Sequence, residues 1–283
     1  MSNKILVTGA TGTIGKILVK NLEARQASFV VGSRNVEQAK DKLGLADNIV
    51  QFSFDDPATF ENATAGVDSV FLLGPPMVPD LNVLLTPFLE YLPSKGIRRI
   101  VYLSALKIDP DSILGFHAVM EQKLAQDGFD YTVLRPSFFA QNFKNYEWEN
   151  ITERSITFAP AGNGKVAFID AADIANVAAT VLTTAGHSQQ TYELTGPEIL
   201  SYYDAANLLS EVTGKTITYP SPDAATYKAA LKAAGAPDFI GTYMVAVYDV
   251  VAGNKVNFTT DTVEKITGKK PASLKTVLTA DWS

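Results

Sequence analysis

Three glycines stand within seven residues near the start of the chain. They are Gly9, Gly12 and Gly15 in "LVTGATGTIGKILVKNL", Leu6 to Leu22. The apolar run Ile5–Val7 precedes them, and Ile14, Ile17, Leu18 and Leu22 follow as one stripe at helical spacing. Glycine permits a tight turn and the close approach of backbone to a pyrophosphate. The N-terminus of the following helix offers free N–H groups and a partial positive charge to that phosphate. Gly15 lets the helix lie close to the strand. Strand, glycine turn and helix in one βαβ unit point to dinucleotide binding. Gly9, Thr11, Gly12, Thr13, Ile14 and Gly15 would cradle the pyrophosphate. The alternative is a tight structural turn with no ligand.

The second strand ends in "VVGSRN", with Ser33 and Arg34 where an acidic residue would hold the ribose 2′-hydroxyl of NAD. A guanidinium suits a 2′-phosphate instead, by charge and by its forked donors. NADP is therefore favoured over NAD, the alternative for Arg34 being a solvated loop arginine. Ser53 and Phe54, after the third apolar run, would flank the adenine. Leu73, Gly74 and Pro75, in "FLLGPP", would line the dinucleotide path.

These residues need elements to hold them. Apolar runs at Ile5–Val7, Phe29–Val31, Ile49–Phe54, Val70–Leu73, Ile100–Leu103 and Tyr131–Leu134 alternate with helical patterns such as Leu81–Leu92 and His117–Ala125. That alternation predicts an α/β fold: a Rossmann-type, doubly wound parallel sheet buried on both faces. Val166–Ile169 and Tyr192–Thr195 read as later strands and Asp173–Leu182 as a helix. The expected division is 1–150 as the dinucleotide-binding domain, with 165–196 returning to it, and 197–283 as a smaller helix-rich substrate or lid region.

The bulk composition excludes several function classes. The net charge of −6 gives nucleic acid or an anionic membrane no electrostatic support. Without cysteine there are no disulfides, thiolate nucleophiles or thiolate metal sites, and two histidines are too few for a His-rich one. No metal is expected. No apolar run approaches the roughly 20 residues that span a bilayer. A first strand by Lys4 leaves no room for a signal peptide, so a cytoplasmic protein is expected, as monomer or homodimer.

The strings "VTGATGTIGK", "VGSRN", "VYLSA", "HAVMEQKL", "YTVLRPSFFAQNF", "FIDAADIANVAATVLT" and "TGKKP" together resemble the NmrA-like branch of the atypical short-chain dehydrogenase/reductases, over nearly the whole chain. The resemblance implies a dinucleotide-binding reductase. Family members reduce quinones, triphenylmethane dyes and iminium-type compounds, and the family also holds a regulator without known reductase chemistry. It places Ser104 where the superfamily's serine stands. It places His117 and Glu121 where the superfamily often has Tyr-x-x-x-Lys, and Pro136, Ser137 and Phe138 at the nicotinamide face.

The four-residue spacing sets His117 and Glu121 on one helix face. Histidine can act as a general acid near neutral pH or donate a hydrogen bond. Glutamate can accept hydrogen bonds from ribose hydroxyls. The alternatives are an exposed i,i+4 pair, and a Ser104 that only bonds backbone at a strand end. Without the tyrosine and lysine, an activated acceptor fits better than a simple ketone: a quinone, a dye cation or an imine. Phe139, Asn142, Phe143, Tyr146 and Trp148 would suit a flat conjugated molecule, or form a core helix face instead. Phe239–Val251 would add another wall or pack as a helix. The reading is an NADP(H)-dependent reductase acting on a small-molecule substrate, with an NADP(H)-binding redox sensor as its rival.

Overall fold

The computed structural model describes residues 3–107 and 111–282. Its strands explain the apolar runs. β1 (Ile5–Val7), β2 (Phe29–Ser33), β3 (Ile49–Gln51), β4 (Ser69–Leu72), β5 (Arg99–Leu103) and β6 (Asp130–Pro136) join β8 (Gln190–Leu194) in a seven-stranded sheet. The order is β3-β2-β1-β4-β5-β6-β8. The pairings among β1 to β6 are parallel, with Ile5 opposite both Phe29 and Ser69. Every residue of β1 and β4 is buried, which is why these strands read as unbroken apolar runs rather than alternating ones. From β1 the chain goes out to β2 and β3, then returns to β4 on the other side. The strand order therefore reverses between β1 and β4, where doubly wound sheets bind ligands beyond the strands' carboxyl ends. This is a Rossmann-like α/β fold.

The helices are α1 (Thr13–Ala24), α2 (Val36–Leu43), α3 (Phe60–Ala63), α4 (Leu81–Tyr91), α5 (Phe116–Gln126), α6 (Asn142–Glu153), α7 (Ala171–Thr183), α8 (Tyr202–Thr213), α9 (Ala224–Ala233), α10 (Asp238–Ala252), α11 (Thr262–Thr267) and α12 (Leu274–Trp282). Among the described residues no helix is long and apolar enough to cross a membrane. Two strand expectations need correction. β3 stops at Gln51 rather than running on to Phe54, because Phe52 turns into a ring cluster with Phe60 and Phe88. Val166 does not return to the main sheet. It belongs to β7 (Lys165–Val166), which pairs antiparallel with β9 (Leu200–Ser201).

The chain divides into two compact units. One comprises Met1–Ala105, Phe116–Arg135 and Ile174–Tyr192; the other comprises Leu106–Gly115, Pro136–Asp173 and Glu193–Ser283. The expected boundaries near 150 and 197 differ from these. In the first unit, α1 buries Ile14, Leu18, Val19 and Leu22, the stripe read from the sequence. Asn21 of α1 also donates from Nδ2 to Asn176 Oδ1 at 2.9 Å.

The second unit claims Pro136–Asp173 because α6 belongs to its core. Phe143 and Ile151 of α6 pack among Phe168, Tyr202, Leu209 and Tyr248. A Ser201–Asp204 capping box starts α8, and Gly214 ends it in the left-handed region, φ 68°. Glu147 is buried within this unit, at 6% exposure. Its Oε2 accepts from Thr157 Oγ1 at 2.5 Å and from Phe158 N at 2.6 Å. Burial pushes the carboxyl above its usual range, against those two hydrogen bonds. Glu147→Ala strands both donors, so urea denaturation should show a loss of about 2–4 kcal/mol. Glu147→Gln, which keeps an acceptor there, should lose less. An unchanged midpoint in the alanine variant would remove Glu147 from the unit's support.

Candidate active site

In the first unit the singled-out residues gather at the carboxyl ends of successive parallel strands. Gly9 to Gly15 follow β1, Arg34 follows β2, Ser53 and Phe54 follow β3, Leu73 to Pro75 follow β4, and Ser104 follows β5. Gly9 holds φ +64°, a left-handed conformation that glycine tolerates. Gly15 has a different reason: a Cβ there would lie 2.3 Å from the Gly9 carbonyl oxygen and 2.5 Å from Ala10 Cα. Helix α1 therefore begins in direct contact with its own turn. Gly12, its N-cap, is exposed; a Cβ there would meet only Gly9 O, at 3.3 Å. Among the described residues no side chain caps α1, and no acidic residue occupies its first turn. An open, uncapped helix N-terminus faced by glycine fits a phosphate group. The residues present thus fit the pyrophosphate of a dinucleotide.

Thr8 braces this turn. Its hydroxyl lies 3.0 Å from Phe71 O and 3.1 Å from Leu73 O, and accepts from Leu73 N at 2.8 Å. That ties the end of β1 to the Leu73–Pro75 segment. At Gly74 a Cβ would come within 2.6 Å of Leu81 Cδ1, so that leucine would have to shift. Arg34 is exposed, and among the described residues no hydrogen bond or ion pair engages its guanidinium. The Ser53 hydroxyl donates to Asp55, holding that carboxyl below its usual range. Ser53 thus shapes the loop, while Phe54 stands half-buried edge-on to Phe52 at 4.9 Å.

The polar centre lies between β5 and α5. Tyr102 and Ser104 are two apart and share a face. His117 and Glu121 share the facing side of α5. Two polar rungs join them: Tyr102 Oη to His117 Nδ1 at 2.7 Å, and Ser104 Oγ to Glu121 Oε1 at 2.5 Å. Arg135, next to Ser104 at the end of β6, clamps the same carboxylate. Its Nε is 3.1 Å from both oxygens, and Nη2 also donates to Oε2.

Three expectations change here. His117 and Glu121 are not an exposed pair, because each bonds across to β5. The Ser104 hydroxyl bonds a side chain, not backbone. Both Glu121 oxygens are engaged, so Glu121 is not offered to ribose hydroxyls. The sequence reading missed Tyr102 and Arg135. The available signals were a polar-tipped residue two before Ser104 and a charge closing the apolar strand "YTVLRP".

Burial pushes the His117 imidazole down from the ordinary 6.5 to about 4. It is neutral at physiological pH, which corrects the general-acid expectation. A neutral imidazole has one donor and one acceptor nitrogen. In the tautomer where the Tyr102 hydroxyl donates to Nδ1, Nε2 carries the proton and can donate. Among the described residues no group of three metal-ligating side chains is present.

Within the second unit, Pro136 and Ser137 are buried. Ser137 N donates to Leu194 O at 2.8 Å, but its buried Oγ has no hydrogen-bond partner among the described residues. Such an orphan costs about 1–3 kcal/mol unless a bound group relieves it. Phe138 packs beside Tyr248 with centroids 6.0 Å apart. Phe139 forms a parallel bridge with Ile169. Asn142 is half-buried at the start of α6, and Tyr146, one turn on, is 55% exposed. Phe143 is a correction: at 2% exposure it packs against Phe168 and Tyr202, so it is core. Trp148 stacks on Trp282 at 5.9 Å, and Phe239–Val251 lies within α10.

Two glycine variants separate packing from binding. Gly12→Ala should leave the melting temperature within a few degrees while weakening dinucleotide affinity about tenfold or more, as titration by cofactor fluorescence would show. Gly15→Ala should destabilise the fold itself by about 2 kcal/mol or more, since backbone must move. Equal effects on both properties would sink the distinction. For His117 the folded pKa lies below the unfolded one. Its stabilising contribution is therefore present above about pH 6.5 and lost toward pH 4, by on the order of 2–3 kcal/mol. In thermal melts, His117→Asn should flatten that acid loss; an unaltered pH slope would contradict a half-buried neutral ring.

With this geometry in hand, comparison with known proteins is direct. A family model described as NAD(P)H-binding matches residues 9–185. The chain is 31% identical over 268 residues to the NAD(P)H azoreductase of Xenophilus azovorans, covering 94% of this chain and 93% of that protein. The structure of the NADPH-dependent quinone oxidoreductase of Escherichia coli complexed with NADPH is similar at a TM-score of 0.89 and 26% identity, over 99% of this chain and 100% of that one. The Citrobacter triphenylmethane reductase complexed with NADP(H) gives 0.84 and 26%, over 99% and 100%. An uncapped, glycine-faced helix start at the reversal point of a parallel sheet and a family match over more than half the residues agree: this chain belongs to the NAD(P)H-binding family.

Proposed function

We propose that this chain, an NAD(P)H-dependent oxidoreductase, uses NADPH to reduce a small conjugated electrophile, with a quinone as the first candidate. The observation that carries the reading is the state of the polar centre. His117 is neutral, and the Ser104 proton is directed at Glu121. The chain places no imidazolium, and no Tyr-x-x-x-Lys pair, beside the end of β5. A simple ketone needs its oxygen protonated as it is reduced. A quinone, an azo compound or a cationic dye is already electrophilic, and water can complete its protonation. The names of the azoreductase, quinone oxidoreductase and triphenylmethane reductase relatives support that acceptor class.

When bound, the reduced nicotinamide supplies the hydride. The chain's own residues do the rest. Gly9, Thr11, Gly12, Thr13, Ile14 and Gly15 would hold the pyrophosphate at the start of α1. Leu73, Gly74 and Pro75 would line its path. Arg34 would pair with the 2′-phosphate. His117 would orient the acceptor by a hydrogen bond rather than by giving up a proton, and Tyr102 would set its tautomer.

The test is loss of reduced-nicotinamide absorbance with NADPH or NADH and a panel of quinones, azo compounds, cationic dyes and simple ketones. Turnover with an activated class, and none with ketones, is expected. Arg34→Ala should raise the KM for NADPH about 10- to 100-fold and leave that for NADH nearly unchanged, the range of a charge-assisted hydrogen bond. Tight NADPH binding without oxidation by any acceptor would overturn the reductase reading in favour of a redox sensor.

A further inference from the structure

Ser104 has one proton, and the geometry shows where it goes. Its Oγ lies 2.5 Å from Glu121 Oε1, and a carboxylate gripped by a guanidinium can only accept. The Ser104 proton therefore lies on the line to Glu121, and only lone pairs of Oγ face elsewhere. The Glu121 side chain is 15% exposed and that of Arg135 36%. Without Arg135, the Glu121 carboxylate loses the guanidinium that fixes it opposite Ser104 and can swing away, which frees the serine O–H to turn outward.

We infer that Arg135 is a positioning residue that, through Glu121, holds the Ser104 oxygen as a hydrogen-bond acceptor for a bound group carrying its own hydrogen. Such groups are a phenolic O–H, an N–H or a ribose hydroxyl. The inference rests on the reductase reading for its part in turnover, and sharpens it. A bare quinone oxygen finds no donor at Ser104 and takes one from His117. The reduced acceptor, carrying O–H or N–H, suits Ser104.

The experiment uses the full chain with NADPH, a 1,4-naphthoquinone and its hydroquinone. The readout is the ratio of the hydroquinone inhibition constant to the quinone KM, with melting temperatures to confirm folding. Ser104→Ala and Arg135→Gln should each weaken hydroquinone binding about tenfold relative to quinone, and the double variant should be within about twofold of the worse single one. Glu121→Gln keeps the shape but can donate to Ser104. It should shift the ratio the same way, and Arg135→Lys should recover part of it. Equal falls in quinone and hydroquinone affinity would mean general loosening and overturn the inference, as would multiplying effects in the double variant. If the wild type binds NADPH but turns over no acceptor, the reductase reading fails separately. The same cycle on the NADPH Kd then decides: coupled losses support the inference, and independent or absent ones overturn it.

Discussion

The cofactor end depends on one close approach. Helix α1 begins so near the turn it grows from that a single methyl group at residue 15 would overlap the Gly9 carbonyl and Ala10. That contact aims the helix N-terminus at the carboxyl edge of the sheet, where β1 and β4 diverge. Thr8 completes the arrangement by tying the end of β1 to the segment after β4. Neither feature touches a phosphate by itself. Together they leave Gly12 exposed in front of uncapped N–H groups, and that is what gives an anion somewhere to bind.

The polar centre follows a second constraint, burial. Between a buried strand and its helix, a charge is tolerated only when paired. Arg135 and Glu121 pair with each other. Among the described residues His117 has no anion as a hydrogen-bond partner, and burial keeps it neutral. Burial thus keeps the His117 imidazole neutral, and a neutral ring can offer an oriented hydrogen bond rather than a mobile proton at neutral pH.

This division explains how much could be read from residues alone. The glycine turn and the strand runs are local signals, because a buried parallel strand must be apolar throughout and α1 must show a stripe. The two rungs were half legible: helical spacing put His117 and Glu121 on one face, but nothing in a single sequence says that the face meets Tyr102, Ser104 and Arg135. Those pairings join residues 14 to 17 positions apart through strand order. Phe143 failed for a related reason. An aromatic residue at helical spacing looks the same whether it lines a cleft or fills a core, and α6 turned it toward Phe168 and Tyr202. The unit boundary moved with it, since the packing of α6 decides where Pro136–Asp173 belongs.

Charge balance at the centre bears on which acceptors the proposed reaction favours. A tyrosine backed by lysine brings net positive charge to a developing alkoxide, and that charge lowers the energy of the oxyanion. Here glutamate stands in the lysine's place, and the neighbouring cation, Arg135, is already neutralised by it. For an acceptor bound beside this pair, no net charge would be added where negative charge builds, so a localised alkoxide would gain little from it. Acceptors that spread the new charge over a ring system need less help. Acceptors that begin as cations need least, because hydride removes their charge instead of creating one. On this electrostatic ground alone a cationic dye or iminium compound ranks above a quinone, and a simple ketone falls below both. The ranking follows from the Arg135–Glu121 pair, not from the glycine turn that the site shares with any dinucleotide binder.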